Sequence, residues 1–227
     1  MSKRLLLWDI DGTLITTGGA GEKGLKQMVL ERFGTRDDFH DIEIAGRTDT
    51  GIVISILQKY KIEPTEKNIA EFLAEYLARL EKQLSQTPGR VLQGVREILQ
   101  RLQGNPERVL GLLTGNLRRG AELKLRYYGL WDYFEFGAFA DDHRDRNQLG
   151  AFARARALEK HGEEFAGAQI DVIGDTGHDI ACGKVFDART IAVATGTWTR
   201  AQLAERAPDF LFDDFAEVDE VCATLGW

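Results

Sequence analysis

Cysteine, proline and histidine are scarce in this 227-residue chain, at two, four and four residues. Two cysteines, Cys182 and Cys222, are too few for a disulfide framework, and with so few histidines no zinc-ligand spacing arises. Both read as reduced thiols, which makes a cytoplasmic protein the expectation. No apolar run approaches the roughly 18 residues of a membrane span. The run before Asp9, Leu5 to Trp8, holds only four apolar residues and is too short for a signal-peptide core. Basic charge is not in excess either: 29 Lys and Arg face 36 Asp and Glu, a net charge of −7. A nucleic-acid footprint is therefore not expected, since a phosphate backbone needs clustered cations. A small anionic substrate stays open, because a few local cations suffice for one phosphate. Internal repeats and low-complexity tracts are also lacking.

What is present is the composition of an ordinary globular protein, 43% apolar and 29% charged, which excludes wholesale disorder and coiled coil. The length allows one large domain or two modest ones. Five short apolar runs read as buried strands: Leu5–Trp8, Val109–Leu113, Ile170–Ile173, Ile191–Val193 and Phe210–Phe212. They are continuously apolar rather than alternating, as in a parallel sheet covered on both faces. Helical periods lie between them. Val95, Ile98, Leu99 and Leu102 form one face, and Leu117, Ala121, Leu125 and Tyr128 another that ends at Gly129. Leu149, Phe152, Ala153, Ala157 and Leu158 form a third. Strands alternating with helices imply an α/β fold, a Rossmann-like doubly wound parallel sheet.

Residues 17–89 break this alternation. The segment opens on Gly18, Gly19, Gly21 and Gly24 and closes on Pro88-Gly89. Between them, Ile52, Val53, Ile56, Leu57 and Tyr60 mark a short helix, and Ile69, Phe72, Leu73, Tyr76, Leu77, Leu80 and Leu84 a long one. The expected organisation is a catalytic core, 1–16 and 90–227, with a helical cap, 17–89, inserted after the first strand.

The polar residues that follow the strands carry the chemistry. Asp9, Asp11 and Gly12-Thr13 follow the first strand, Thr114-Gly115-Asn116 the second, and Gly174-Asp175 with Asp179 the third. In open α/β sheets ligands bind beyond the carboxyl ends of the strands, so these clusters are expected to converge. Asp9, Asp11, Asp175 and Asp179 would repel one another, and a divalent cation with oxygen ligands resolves that conflict. Mg²⁺ is the natural candidate. Thr114 would offer a hydroxyl to a phosphate. The amides of Gly115 and Asn116 would face it at a helix start. Arg146 would supply a cation from the first turn of the helix carrying Leu149, behind Asp145 as N-cap with Gln148 at N3. A cation there opposes the helix dipole, which hints at function.

These same residues resemble the haloacid dehalogenase-like phosphatase superfamily. Asp9-Ile10-Asp11-Gly12-Thr13-Leu14 is similar to its first motif, Leu112-Leu113-Thr114-Gly115-Asn116 to its second, and Gly174-Asp175-Thr176-Gly177-His178-Asp179 to its fourth. With the inserted helices, the resemblance covers essentially the whole chain and points to the phosphoglycolate phosphatase and β-phosphoglucomutase-like branch. The third motif departs from the family, with Asp145-Arg146-Asn147 where a Lys is usual; Arg keeps the charge and can grip phosphate with two bonds. The resemblance implies Asp9 as nucleophile and Asp11 as acid and base. It implies a Mg²⁺ held by Asp9, the Asp11 carbonyl and Asp175, with Asp179 orienting the metal shell. In the cap, Gly46-Arg47-Thr48-Asp49 resembles a stretch that faces the active site, with Arg47 contacting the substrate and Thr48 or Asp49 capping the next helix.

The expected activity is hydrolysis of a small phosphorylated metabolite, phosphoglycolate or a sugar phosphate, by a monomer or homodimer. A phosphotransferase shares all four motifs and is the alternative. A dehalogenase is disfavoured by Asp11. A phosphonate hydrolase would want a cap Lys, and none stands out. A non-catalytic phosphate-binding regulator should have lost Asp9 or Asp11.

Overall fold

The computed structural model describes residues 3–227. β1 (Arg4–Trp8) is followed by a two-residue strand, β2 (Ile15–Thr16), and three helices, α1 (Ala20–Phe33), α2 (Asp49–Lys59) and α3 (Glu66–Gln86). β3 (Arg90–Val91) returns the chain to α4 (Val95–Leu102), β4 (Arg108–Leu113), α5 (Arg118–Tyr127) and β5 (Phe136–Ala138). α6 (Leu149–His161), β6 (Ile170–Gly174), α7 (Gly177–Val185), β7 (Arg189–Val193), α8 (Arg200–Ala204), β8 (Phe210–Phe212) and α9 (Val218–Leu225) complete the order.

Six strands form one sheet in the order β5-β4-β1-β6-β7-β8, and every pairing is parallel. The pleat sends Leu6 and Trp8 into one core with residues of α4, α5 and α9. Leu5 and Leu7 point the other way, into a core with residues of α6. All four are fully buried, which is why the run reads as continuously apolar. The doubly wound α/β sheet with an inserted helical cap is thus the observed fold.

The cap has its own core, in which Leu25, Met28, Ile56, Phe72, Tyr76 and Leu80 pack together. Where the chain enters and leaves it, β2 and β3 pair antiparallel, a ribbon that joins cap to core. α1 shows only a short apolar stripe, Leu25, Met28 and Val29, with Ala20 and Gly24 completing its buried face. Gly24 lies against the α3 backbone, where an added Cβ would make an ordinary van der Waals contact with the Leu80 amide nitrogen at 3.5 Å. β5 also lacks a strand signal, being a three-residue edge, Phe-Gly-Ala. On α6 the buried stripe is narrower than its period suggests: Phe152 and Leu158 are exposed, while Leu149, Ala153 and Ala157 are buried.

Candidate active site

β1 lies between β4 and β6, so the carboxyl ends of these three strands are neighbours. Asp9 leaves β1 with its amide bound to the Ile173 carbonyl at 2.9 Å. The chain then turns back at Gly12, where φ is +82°, a conformation that favours glycine. The turn sets Asp11 above the strand end and brings Gly12 against Asp175: a Cβ there would lie 2.4 Å from Asp175 Oδ2. β4 delivers Thr114, whose hydroxyl lies close enough to Asp9 to favour its carboxylate and accepts from Asn116 Nδ2 at 2.9 Å. β6 delivers Asp175, which accepts from Thr13 Oγ1 at 3.2 Å. The first turn of α7 adds Asp179. Carboxylate oxygens of Asp9, Asp175 and Asp179 all lie within 4.8 Å of one another.

Arg146 runs into this cluster. Its Nη2 is 3.0 Å from Asp9 Oδ1 and also bonds Asp179. Its Nη1 donates to the Gly46 carbonyl of the cap at 3.0 Å. Its Nε is buried and finds no acceptor among the described residues. Asp179 is held on both oxygens, one by Arg146 and the other by the amide and hydroxyl of Thr176, the latter at 2.6 Å.

Burial lifts the Asp9 carboxyl to about 6; Arg146 and Thr114 pull it down, while Asp179 and Asp11 push it up. Burial, then Asp179 and Asp9, hold Asp175 well above the usual carboxylate range. For Arg146, burial works against the cation, and Asp179 and Asp9 more than offset it. One cation thus faces three crowded carboxylates, and negative charge is left in excess. The donor set is all hard oxygen, and Gly12 and Gly196 leave the flank of Asp175 open, since a Cβ on Gly196 would lie 1.6 Å from its Oδ2. A small divalent cation fits such a set.

The cap closes over these strand ends and encloses a cavity of about 640 Å³. The Asp49 amide donates to the Gly115 carbonyl at 2.7 Å, and its Oδ2 accepts from the Leu117 amide at 2.8 Å. Thr48 caps α2 through Gly51 N at 3.1 Å and donates to the Arg144 carbonyl at 2.6 Å. His178 of α7 bonds Glu43 of the cap at 2.9 Å. Burial lifts Asp49 to about 6, with Lys124 as the main opposing charge.

Asp9, Asp11, Thr114, Asp175 and Asp179 therefore converge, as their positions after the strands imply, and Arg146 joins them from the segment before α6. Arg47 and Gly115 also border the cavity, Arg47 with its side chain half exposed. Three local expectations are corrected. Arg146 lies not in the first turn of α6 but in a separate 3₁₀ turn, residues 146–148. Asp145 caps that turn at Asn147 N, 3.0 Å away, and its carbonyl takes Gln148 N at 3.1 Å, so no capping box with Gln148 forms. α5 starts at Arg118 rather than at Gly115; the Asn116 amide is turned to Thr114 Oγ1 at 3.3 Å. The Asn116 side chain is bound within the protein, its Nδ2 2.9 Å from Asp11 Oδ2.

Lys124 was not singled out by the sequence. It is 4% exposed, and its Nζ lies 2.5 Å from Asp11 Oδ2 and 2.6 Å from Asn116 Oδ1. A signal existed: Lys124 stands three residues after Ala121 and four before Tyr128, on the apolar face of its helix, where a cation needs a partner. Tyr76 and Asp49 also line the cavity. Tyr76 is hidden in the sequence by its place in the apolar stripe of α3.

A family model for haloacid dehalogenase-like hydrolase matches residues 6–193, from β1 through β7. The chain belongs to the haloacid dehalogenase-like hydrolase family. It is 27% identical over 222 residues to the Probable phosphatase IndB of Dickeya dadantii (strain 3937), covering 95% of this chain and 92% of that protein. Among solved structures it is similar in fold to a predicted phosphoglycolate phosphatase from Haemophilus somnus 129pt, at 18% identity and a TM-score of 0.74, over 97% of this chain and 98% of that one. CbbY from Rhodobacter sphaeroides, solved in complex with phosphate, aligns at 18% identity and a TM-score of 0.75, over 95% and 96% of the two chains. The chain is thus an enzyme of this family. No helix among the described residues is long and apolar enough to cross a membrane.

Proposed function

We propose that this enzyme is a Mg²⁺-dependent phosphatase that hydrolyses a small phosphate monoester through an aspartyl-phosphate on Asp9. The observation that carries the reading is the buried Arg146 guanidinium held 3.0 Å from the Asp9 carboxylate at the cavity wall, beside the crowded carboxylates of Asp175 and Asp179. A nucleophilic carboxylate, a fixed cation and a metal-holding cluster at one cavity are what attack on a phosphate requires. Asp9 Oδ attacks phosphorus, and the ester P–O bond breaks. Asp11, on the cavity side, gives its proton to the leaving oxygen. Asp11 then takes a proton from water as that water attacks the phosphorus of the acyl phosphate, which releases inorganic phosphate and restores Asp9. Thr114 and Arg146 hold the equatorial oxygens.

Asp9 and Asp175 would hold the metal with their carboxylates, and Asp11 with its carbonyl. Asp179, already engaged by Arg146 and Thr176, would act as their support. Bound Mg²⁺ would neutralise charge as the phosphate dianion meets the carboxylates. Residues 17–89 would serve as a cap that opens for substrate and shuts out water during chemistry, with Arg47, Gly115 and Asn116 on the substrate side. Two buried free thiols, Cys182 and Cys222, support a cytoplasmic setting, where a small phosphorylated metabolite would meet a monomer or homodimer.

Acid quenching during turnover of a phosphorus-labelled monoester tests the covalent step. Label is expected on the peptide that contains Asp9. Turnover with no labelled protein at any quench time would exclude the intermediate.

A further inference from the structure

Lys124 is a lysine buried in the core whose ammonium reaches the cavity. Two of its N–H bonds go to Asp11 Oδ2 and Asn116 Oδ1, and no third acceptor is within hydrogen-bond reach among the described residues. The space on that side is kept open by Gly21: a Cβ there would sit 3.3 Å from the Tyr76 hydroxyl and 4.0 Å from Lys124 Nζ. The third N–H therefore faces a gap between the start of α1, Tyr76 and the cavity.

The position relative to Asp11 decides what fills the gap. If Asp11 protonates the leaving oxygen, as proposed above, that oxygen must come within hydrogen-bond distance of its carboxylate. Lys124 Nζ is bound to Oδ2 of the same carboxylate, so a leaving oxygen at the other carboxylate oxygen and the ammonium are within about 7 Å of each other. An oxygen on the carbon next to the ester carbon falls between them. Local charge selects which kind of oxygen. Asp49 and Glu22 also line the cavity, and Lys124 is the main charge opposing Asp49, so its cation is matched even while Asp11 carries the proton it donates. A carboxylate on the substrate would meet two acids, whereas a hydroxyl can accept from Lys124 and donate to an acid.

We propose that Lys124 is a specificity-determining residue that binds a hydroxyl on the carbon adjacent to the ester carbon, so that the substrate is the phosphate monoester of a polyhydroxylated alcohol. This rests on the phosphatase reading and on Asp11 as its acid. Asn116 is then a positioning residue that fixes the Lys124 ammonium and the Asp11 carboxylate together.

The test is a cycle over substrate and side chain with Mg²⁺ present. Glycerol 1-phosphate is compared with 1,3-propanediol monophosphate, which lacks only the adjacent hydroxyl, and with phosphoglycolate, which carries a carboxylate there. Wild type should prefer glycerol 1-phosphate over the propanediol ester by about tenfold to hundredfold in kcat/KM, the worth of a hydrogen bond to a charged group. Lys124→Met should bring that ratio to near one. A lysine that only positioned Asp11 would slow both esters equally and leave the ratio intact, which overturns the proposal. Equal rates by wild type, or a preference for phosphoglycolate, overturn it without need of a folded variant. No release by wild type from these esters or from p-nitrophenyl phosphate would defeat the phosphatase reading itself, and this assignment with it.

Discussion

Asp9 shows what the site demands of a single residue. Its carboxyl titrates at 3.8 when free and at about 6 in the fold, mainly because it is buried. Between those values the folded chain keeps a proton that the unfolded chain has lost. Rising pH therefore removes stability through this group until about pH 6, and the loss persists above it. Asp9→Asn should accordingly stabilise the metal-free protein by roughly 2–3 kcal/mol at about pH 7, and by nothing near pH 3, as read by urea unfolding. Equal stability at both pH values would mean that the carboxylate is not strained. Arg146 makes the complementary case. Removing it as Arg146→Ala should cost about a hundredfold or more in kcat. Arg146→Lys should keep a measurable part, because the charge remains while the second hydrogen-bonding arm is lost; activity equal to the alanine variant would show that the arms matter and the charge alone does not.

At the scale of elements, the strand ends were legible because continuous apolar runs stop abruptly at Asp, Thr or Gly-Asp. That is what a covered parallel strand with a functional carboxyl end must look like. Lys124 and Tyr76 were not legible, because a polar tip on a buried helix face becomes visible only when the facing element is known. The start of α5 was misplaced for a related reason: Asn116 was placed at a helix start, but Thr114, Lys124 and above all the distant Asp11 engage its side chain. The cap meets the core by backbone approach at Gly115, where an added Cβ would lie 2.1 Å from the Arg47 carbonyl. Gly115→Ala should therefore hold the cap away and raise KM by about tenfold while the fold is kept. An unchanged KM, in steady-state assays, would mean that this contact does not govern closure.

Across the whole molecule, the two ends of the sheet treat buried charge differently. At the end away from the cavity, Asp171 is fully buried and bonded by Arg4, Arg189 and Trp227 Nε1. Burial alone would raise its carboxyl, and these donors together bring it below the ordinary value. Its contribution is therefore present at neutral pH and lost only as pH falls through that depressed value. Asp171→Ala should lower stability by about 3 kcal/mol in denaturant titrations, since it leaves two arginines without their shared partner; a loss under ~0.5 kcal/mol would mean that solvent replaces the bonds. At the cavity end, by contrast, acids outnumber cations and the strain is unrelieved by the chain itself. Such unrelieved crowding is what a site built to receive a ligand shows, and it lies at the strand ends that border the cavity. The most direct test is inorganic phosphate release from a panel of small phosphate monoesters, with and without Mg²⁺, by wild type and by Asp9→Asn. Release should require Mg²⁺ and vanish in Asp9→Asn. Release that persists in the variant, or that is indifferent to the metal, would contradict the proposed function.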